Sequence, residues 1–154
     1  MIRHQTPSSI PHVALVLGLG GLIPFGVSAF SQWIQVPFLP TELGLKAGTI
    51  YGAVILSFLG GIRWGTAMKT LNQDRQARQL AGSIVASLAG WLSLLLSPVT
   101  GICLLIAGFL LQALWDILSV EQNHLPEWFG KFRMLLTVGA VLALSSMLVR
   151  LTIS

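Results

Sequence analysis

Two charged side chains, Arg63 and Asp116, stand inside long apolar stretches of this 154-residue sequence. Gln112 comes four residues before Asp116, so on a helix the amide and the carboxylate lie on one face, a turn apart. An ionisable group in an apolar segment is rare, and it often transfers protons or binds a ligand. The alternative is structural, because an ion pair between Arg63 and Asp116 would fix how two helices pack. Both interpretations stay open at the level of the sequence.

These polar residues are predicted to gather near one membrane boundary. Arg63 lies six residues before Lys69 and Asp116 lies five before Glu121, which places both about 8–9 Å inside that boundary at 1.5 Å per residue. Aspartate is too short to reach the boundary, so we expect it to pair with Arg63. His12, at the start of the first apolar segment, is placed at the same end. We therefore predict a polar intramembrane cluster of Arg63, Gln112, Asp116 and His12.

The elements that hold these residues are predicted to be membrane helices. The chain is 54% hydrophobic and 9% charged, against about 25% charged for a soluble domain, so its apolar surface must face lipid. A spanning helix needs about 20 mostly apolar residues and a barrel strand about 10, so the long apolar runs favour helices. We predict one all-α domain over residues 1–154, an integral membrane bundle of five transmembrane helices at about 12–33, 49–68, 80–97, 100–118 and 132–151.

Lysines and arginines in the connections predict the orientation of the bundle. With five spans, one side of the membrane carries only Lys46 and Arg150. Because these residue types are enriched in cytoplasmic loops, we predict that the N-terminus lies inside and the C-terminus outside. The six residues on the inner side are Arg3, Lys69, Arg75, Arg78, Lys131 and Arg133.

The first helix carries a predicted break at Gly20, Gly21 and Pro24. Proline removes a backbone donor and clashes with the preceding turn, and glycine weakens a helix further. Broken helices mark substrate sites in transporters, but neighbouring helices also accommodate such breaks without any functional role. A signal peptide cleaved after residues 27–29 is the alternative for this segment. Its apolar stretch is long for a signal peptide, so we expect the helix to be retained.

Small residues at helical spacing predict close helix packing. Gly61 and Gly65 form such a pair in the second helix, and Gly60 leaves room for a neighbouring backbone beside Arg63. Close approach of backbones substitutes for the hydrophobic drive that lipid does not provide. The same faces would also suit self-association of the chain.

Several function classes lack the residues that they need. Cys103 is the single cysteine, which excludes an intrachain disulfide. We find neither a Cys/His cluster with metal-ligand spacing nor a phosphate-binding loop or nucleophile elbow. We therefore expect no metal, no cofactor, no catalytic residue and no enzyme activity. The net charge of +4 resides in the connections, so it indicates membrane orientation and no nucleic-acid partner.

Three segments carry a family resemblance: residues 21–25, residues 55–65 together with Tyr51, and residues 107–112 together with Asp116. The chain resembles the transmembrane protein 69-like family of bacterial and mitochondrial inner-membrane proteins. The segment 55–65 is the most specific part, and Pro126, Trp128 and Arg133 are similar as well. The resemblance implies a small helical bundle resident in an inner membrane, and it implies no particular activity.

Two functions from different classes fit these observations. The first is a non-enzymatic accessory, scaffold or assembly subunit of a membrane complex in the bacterial cytoplasmic membrane, with lipid and other membrane proteins or a second copy as partners. Short connections and small-residue stripes motivate it. The alternative is a small transporter or proton-coupled carrier, which would use the helix break and the cluster of Arg63, Gln112 and Asp116. It requires a cavity that joins the two.

Overall fold

The computed structural model describes residues 10–68, 70–121 and 127–153, and within them the side chains of all but 119–121 and 127. This part of the chain is helical, and it holds no strand beyond one isolated bridge between Val36 and Leu39. The predicted all-α class is therefore confirmed. The helices are α1 His12–Gly20, α2 Ile23–Phe30, α3 Thr41–Ala67, α4 Gln73–Ser93, α5 Pro98–Glu121 and α6 Glu127–Ile153.

Four stretches of the described chain are long and apolar enough to cross a membrane. They are His12–Phe30, Thr41–Ala67, Pro98–Leu118 and Trp128–Ile153. Helix α4 has the length of a span, but its first two turns carry Asp74, Arg75 and Arg78. The five predicted helical regions are thus all present, and four of them have the length and composition of membrane spans.

The helices extend beyond the predicted bounds at their polar ends. Helix α3 begins at Thr41 instead of residue 49, α4 covers 73–93 instead of 80–97, and α6 begins at Glu127 instead of residue 132. The predictions followed apolar runs, whereas a helix continues wherever its backbone is hydrogen-bonded and its start is capped. The side chain of Asn72 accepts a hydrogen bond from the backbone N–H of Arg75 at 3.0 Å, which begins α4 well before its apolar part.

The predicted break in the first helix lies at Gly21 and Leu22, between α1 and α2. Pro24, in the first turn of α2, has no N–H to donate to the preceding turn. Both residues at the break keep right-handed helical backbone angles, so the helix is interrupted there while the chain continues in the same general direction. The hydroxyl of Tyr51 on α3 donates to the carbonyl oxygen of Gly21 at 2.9 Å, which stabilises the interrupted backbone from outside.

Helix α3 is central, because it contacts α2, α4, α5 and α6. The buried core that it shares with them is apolar, and Leu56 on α3 is fully enclosed. Phe25 from α2 packs edge-on against Tyr51 and Phe109, with ring centroids 5.1 and 5.9 Å apart. These contacts set the position of α3, and hence of Arg63, relative to α5.

Glycines bring α3 and α4 into backbone contact. A Cβ atom added at Gly60 would lie 2.5 Å from the carbonyl oxygen of Ser83, and one at Gly90 would lie 2.8 Å from that of Ala53. The packing prediction does not hold for Gly61 and Gly65 within the described chain, since no atom lies within 4 Å of an added Cβ there. Helical geometry explains the difference, because each residue turns the face by about 100° and Gly61 therefore points away from α4.

We predict opposite effects for alanine at these two adjacent glycines. Gly60→Ala should destabilise the protein by about 1–3 kcal/mol, because its methyl group meets a backbone oxygen that cannot move aside. Gly61→Ala should be neutral, or stabilising by up to about 1 kcal/mol, because alanine is the better helix former. Thermal unfolding in a mild detergent, followed by circular dichroism, measures both. Equal stability of the two variants would contradict the described contact between α3 and α4.

Candidate functional site

Three helices each contribute one charged side chain to a single buried cluster. Arg63 lies four residues before the end of α3, Asp116 five before the end of α5, and Arg133 six after the start of α6. At 1.5 Å per residue all three lie roughly 6–9 Å from these helix ends, at the same end of the bundle. The cluster therefore ties α3, α5 and α6 together at one level.

Asp116 is the centre of the cluster. Its Oδ1 lies 2.9 Å from Nη2 of Arg63, and its Oδ2 lies 2.9 Å from Nε of Arg133. Gln112 completes the surroundings of Arg63, since its side-chain oxygen accepts from Nε and its backbone oxygen accepts from Nη2 at 3.1 Å. Asp116, Gln112 and both arginines are at most 7% exposed. Each carboxylate oxygen thus holds a separate helix by a charge-assisted hydrogen bond.

An aromatic ring covers the cluster on the side of α4. The guanidinium carbon of Arg63 lies 4.4 Å from the ring centroid of Trp115, a cation–π distance. Gly82 on α4 makes room for this indole, because an added Cβ there would lie 2.9 Å from the ring. Trp115 therefore connects the fourth helix to the cluster through packing.

The structure brings together three of the four residues predicted for the cluster. Arg63, Gln112 and Asp116 meet as described, on the face of α5 that also places Gly108 against Leu56. His12 does not join them. It lies exposed at the start of α1 and makes no hydrogen bond or ion pair to the cluster within the described residues, since α1 buries none of its residues in the bundle.

Arg133 is the cluster member that the sequence analysis missed. As the second residue of the predicted helix 132–151, it was grouped with the charges of the preceding connection, where positive charge only orients the protein. Because α6 begins at Glu127, Arg133 lies more than one turn inside that helix. The available signal was its spacing to Thr137 and Ala140, which gives α6 a face of one cation followed by small residues.

Two buried polar atoms on α6 have no hydrogen-bond partner among the described residues: Nη2 of Arg133 and Oγ1 of Thr137. Both residues line a partly open cavity of about 330 Å³ that residues of α1, α2 and α3 also line, and Gly21 of the helix break is in its wall. Arg63, Gln112 and Asp116 do not line this cavity. No three His, Cys, Asp or Glu side chains gather as metal ligands in the described part of the chain.

Comparison with known proteins places this architecture in a family. Residues 10–149 match the family model described as "Protein of unknown function (DUF3429)". The chain belongs to this family. Transmembrane protein 69 of Xenopus tropicalis is 38% identical over 141 residues, which cover 90% of this chain and 54% of that relative. Transmembrane protein 69 of Mus musculus is 30% identical over 136 residues, covering 86% and 54%.

The comparisons confirm the resemblance to the transmembrane protein 69-like family. The chain spans about half the length of the curated relatives that it matches. No solved structure matches it. Relatives named as transmembrane proteins, together with four apolar helices of spanning length, identify this DUF3429 member as a multi-pass membrane protein.

We predict that Asp116→Asn is the most damaging single change in the cluster. It leaves two buried arginines without their anion, and removing one partner of a buried ion pair costs about 3–5 kcal/mol. Arg63→Gln should cost less. The double variant should lose less unfolding free energy than the two single variants lose together, because the residues act as a pair. Unfolding in detergent and abundance in the membrane are the measurements.

Asp74→Asn is the control for this series. Asp74 lies exposed in the first turn of α4, where loss of its charge should cost at most about 1 kcal/mol. If Asp116→Asn, Arg63→Gln and the double variant all keep wild-type stability and abundance, the cluster does not hold the bundle together.

Proposed function

We propose that this DUF3429 member is a non-enzymatic accessory, scaffold or assembly subunit of a membrane complex. The observation that carries the proposal is the saturation of Asp116, whose two oxygens are each taken by an arginine from a different helix. A carboxylate bound in this way holds α3, α5 and α6 together. The charged residues thus serve the architecture, which leaves the outer helix faces for recognition.

The outer faces of the described bundle are apolar on several helices. Val85 on α4, Leu111 on α5 and Leu142 on α6 are 64, 66 and 65% exposed. Lipid alone satisfies such faces, but they also suit neighbouring membrane helices, which associate through packing and not through the hydrophobic effect. A scaffold would use at least one of them to bind another protein.

A photoreactive side chain at each of these exposed positions tests the proposal. We expect at least one of Val85, Leu111 and Leu142 to crosslink to another membrane protein in native membranes and to co-purify with it. Leu56 is the matched control, because its side chain is fully buried and should crosslink only within the chain. Crosslinks to lipid or to a second copy alone, together with migration as a free monomer or homo-oligomer, would contradict the accessory role.

We also propose that α4 is the fifth span, with the N-terminus in the cytoplasm and residence in the bacterial cytoplasmic membrane. Three charges at one end of a helix do not prevent crossing, since charged side chains near a boundary reach the headgroups. Gly60 and Gly90 hold α4 against α3 at two levels, with the two helices running in opposite directions. This contact supports a course of α4 through the same membrane layer as α3. If α4 is counted as a span, most lysines and arginines of the connections lie on the cytoplasmic side of the membrane.

Cysteine labelling distinguishes five spans from four. In a Cys103→Ala background, single cysteines replace Gln35, Leu71 or Leu95, which lie exposed in three successive connections. We expect a membrane-impermeant maleimide to label positions 35 and 95 from outside, and position 71 only after the membrane is opened. If position 95 behaves like position 71, α4 does not cross. If position 71 is labelled from outside and position 35 is not, the orientation is reversed.

A small transporter or proton-coupled carrier is the second candidate. The cavity beside the broken helix favours it, because Gly21 and Arg133 both line that cavity. Its lining is otherwise almost entirely apolar and does not reach the remaining cluster residues, which is a poor path for protons or polar solutes. A carrier works as a free monomer or homo-oligomer, so the crosslinking outcome that contradicts the accessory role is the one that favours this candidate.

A further inference from the structure

The cavity next to α6 has an apolar lining that extends far enough along the helix to accommodate an elongated apolar group. It lies between the broken first helix, α3 and α6, and Leu22, Phe25, Ile62 and Phe132 are among its apolar walls. Along α6 the lining runs from Phe129 to Ala140, roughly 16 Å at 1.5 Å per residue. An acyl-type chain would lie in it along the helix axes, whereas a compact polar molecule would find few partners.

Polar groups interrupt this apolar lining at one point. Arg133 and Thr137 lie one helical turn apart on α6, and Nη2 of the first and Oγ1 of the second are buried without a hydrogen-bond partner among the described residues. Arg133 and Thr137 are 5% and 4% exposed, so bulk water does not satisfy them. Buried donors are almost always paired in native proteins, and an unpaired charged donor is especially costly. Two such residues in the wall of one cavity point to an acceptor that the described residues do not supply.

The charge of the cluster specifies the ligand further. Within the described residues, Asp116 is shared by Arg63 and Arg133, so the buried cluster holds two cations and one anion. A second anion would balance it and could meet the free edge of the Arg133 guanidinium. Arg133 also lies six residues after the start of α6, near one end of the bundle, while the cavity lining continues along the helix to Ala140.

We propose that the cavity binds an anionic amphiphile, with its carboxylate or phosphate accepting hydrogen bonds from Arg133 Nη2 and Thr137 Oγ1. Its apolar tail fills the space along α6 toward the helix break at Gly21. A free fatty acid and an anionic phospholipid share this chemistry. The site does not depend on the accessory role or on the carrier role, since binding of an amphiphile requires neither a protein partner nor transport.

Binding of matched probes to the full chain in neutral detergent tests the proposal. The probes are a spin-labelled fatty acid and the methyl ester of the same acid, which differ in charge at the headgroup. We expect the acid to bind about tenfold more tightly, because a charge-assisted hydrogen bond replaces a weak one. Nanodiscs of phosphatidylglycerol and of phosphatidylcholine form the phospholipid arm. Preferential recovery of phosphatidylglycerol would identify a phospholipid as the ligand. Binding of the fatty acid without such a preference would identify a free fatty acid as the ligand.

Thr137→Val separates a ligand site from a mere packing defect. The variant keeps the shape of the side chain and leaves the ion cluster intact, so it should fold and should raise the unfolding temperature without ligand. We expect it to weaken binding of the acid about fivefold and binding of the ester by a smaller factor, because the ester loses only a weak hydrogen bond. Thr152→Val, at the far end of α6, is the control for both measurements. Ala140→Leu, which fills the deep part of the cavity, should reduce binding of both probes.

Three results would overturn the proposal. The first is equal binding of the acid and the ester to the wild-type protein. The second is a Thr137→Val variant that is more stable but binds the acid as tightly as the wild type, which would make the hydroxyl a packing defect only. The third is exclusion of both probes because a protein segment occupies the cavity.

Discussion

The structure depends on one buried carboxylate that two arginines share. A lone charge inside an apolar bundle is strongly unfavourable, so Asp116 restricts the arrangements of α3, α5 and α6 to those that bring both guanidinium groups within reach. A small rotation or a one-turn slip of any of the three helices would leave at least one charge unpaired. Apolar packing in lipid discriminates poorly between such alternatives, because lipid and leucine solvate a helix face almost equally well.

Glycine contacts and the ion cluster act on the same helix. Gly60 lies one turn from Arg63 on α3 and seats α4 at backbone distance, while Gly108 on α5 admits Leu56. These contacts set the separations between helices, and the cluster sets their relative heights. Trp115 joins the two systems, since it stacks on Arg63 and rests on Gly82. Close backbone contact therefore determines the separations between the helices, and charge pairing determines their relative heights.

The sequence predicts best where a residue conflicts with its surroundings. Arg63 and Asp116 are visible because each interrupts an apolar run, and Pro24 because it cannot continue a helix. Arg133 follows Lys131 at the edge of an apolar run, where it resembles a charge that only orients the chain, and only its spacing to Thr137 and Ala140 distinguishes it. Gly60 and Gly61 are also indistinguishable in the sequence, because only the position of the neighbouring helix decides which of the two glycines contacts it.

Helix ends are hard to predict for a related reason. Hydropathy reports where lipid begins, whereas α3, α4 and α6 continue past that level into residues that water or headgroups solvate. The extension of α6 has a structural consequence, because it places Arg133 more than one turn inside the helix instead of at its edge, and so fixes the direction of its side chain. A charge on a helix can be aimed at a partner on two other elements at once. A charge in a loop would lose most of that precision to conformational entropy.

Arg133 links the ion cluster to the cavity through the two edges of one guanidinium. Its Nε is committed to Asp116, while its Nη2 lacks a partner and the side chain lines the cavity. An anion bound at that second edge would balance the surplus positive charge of the cluster, so occupancy and cohesion of α3, α5 and α6 would rise together. Linkage makes the relation reciprocal, since an anion that stabilises the packing of these three helices must itself bind more tightly when they are packed. A structural lock and a binding site need not compete for this residue, because its planar fork offers separate donors to each.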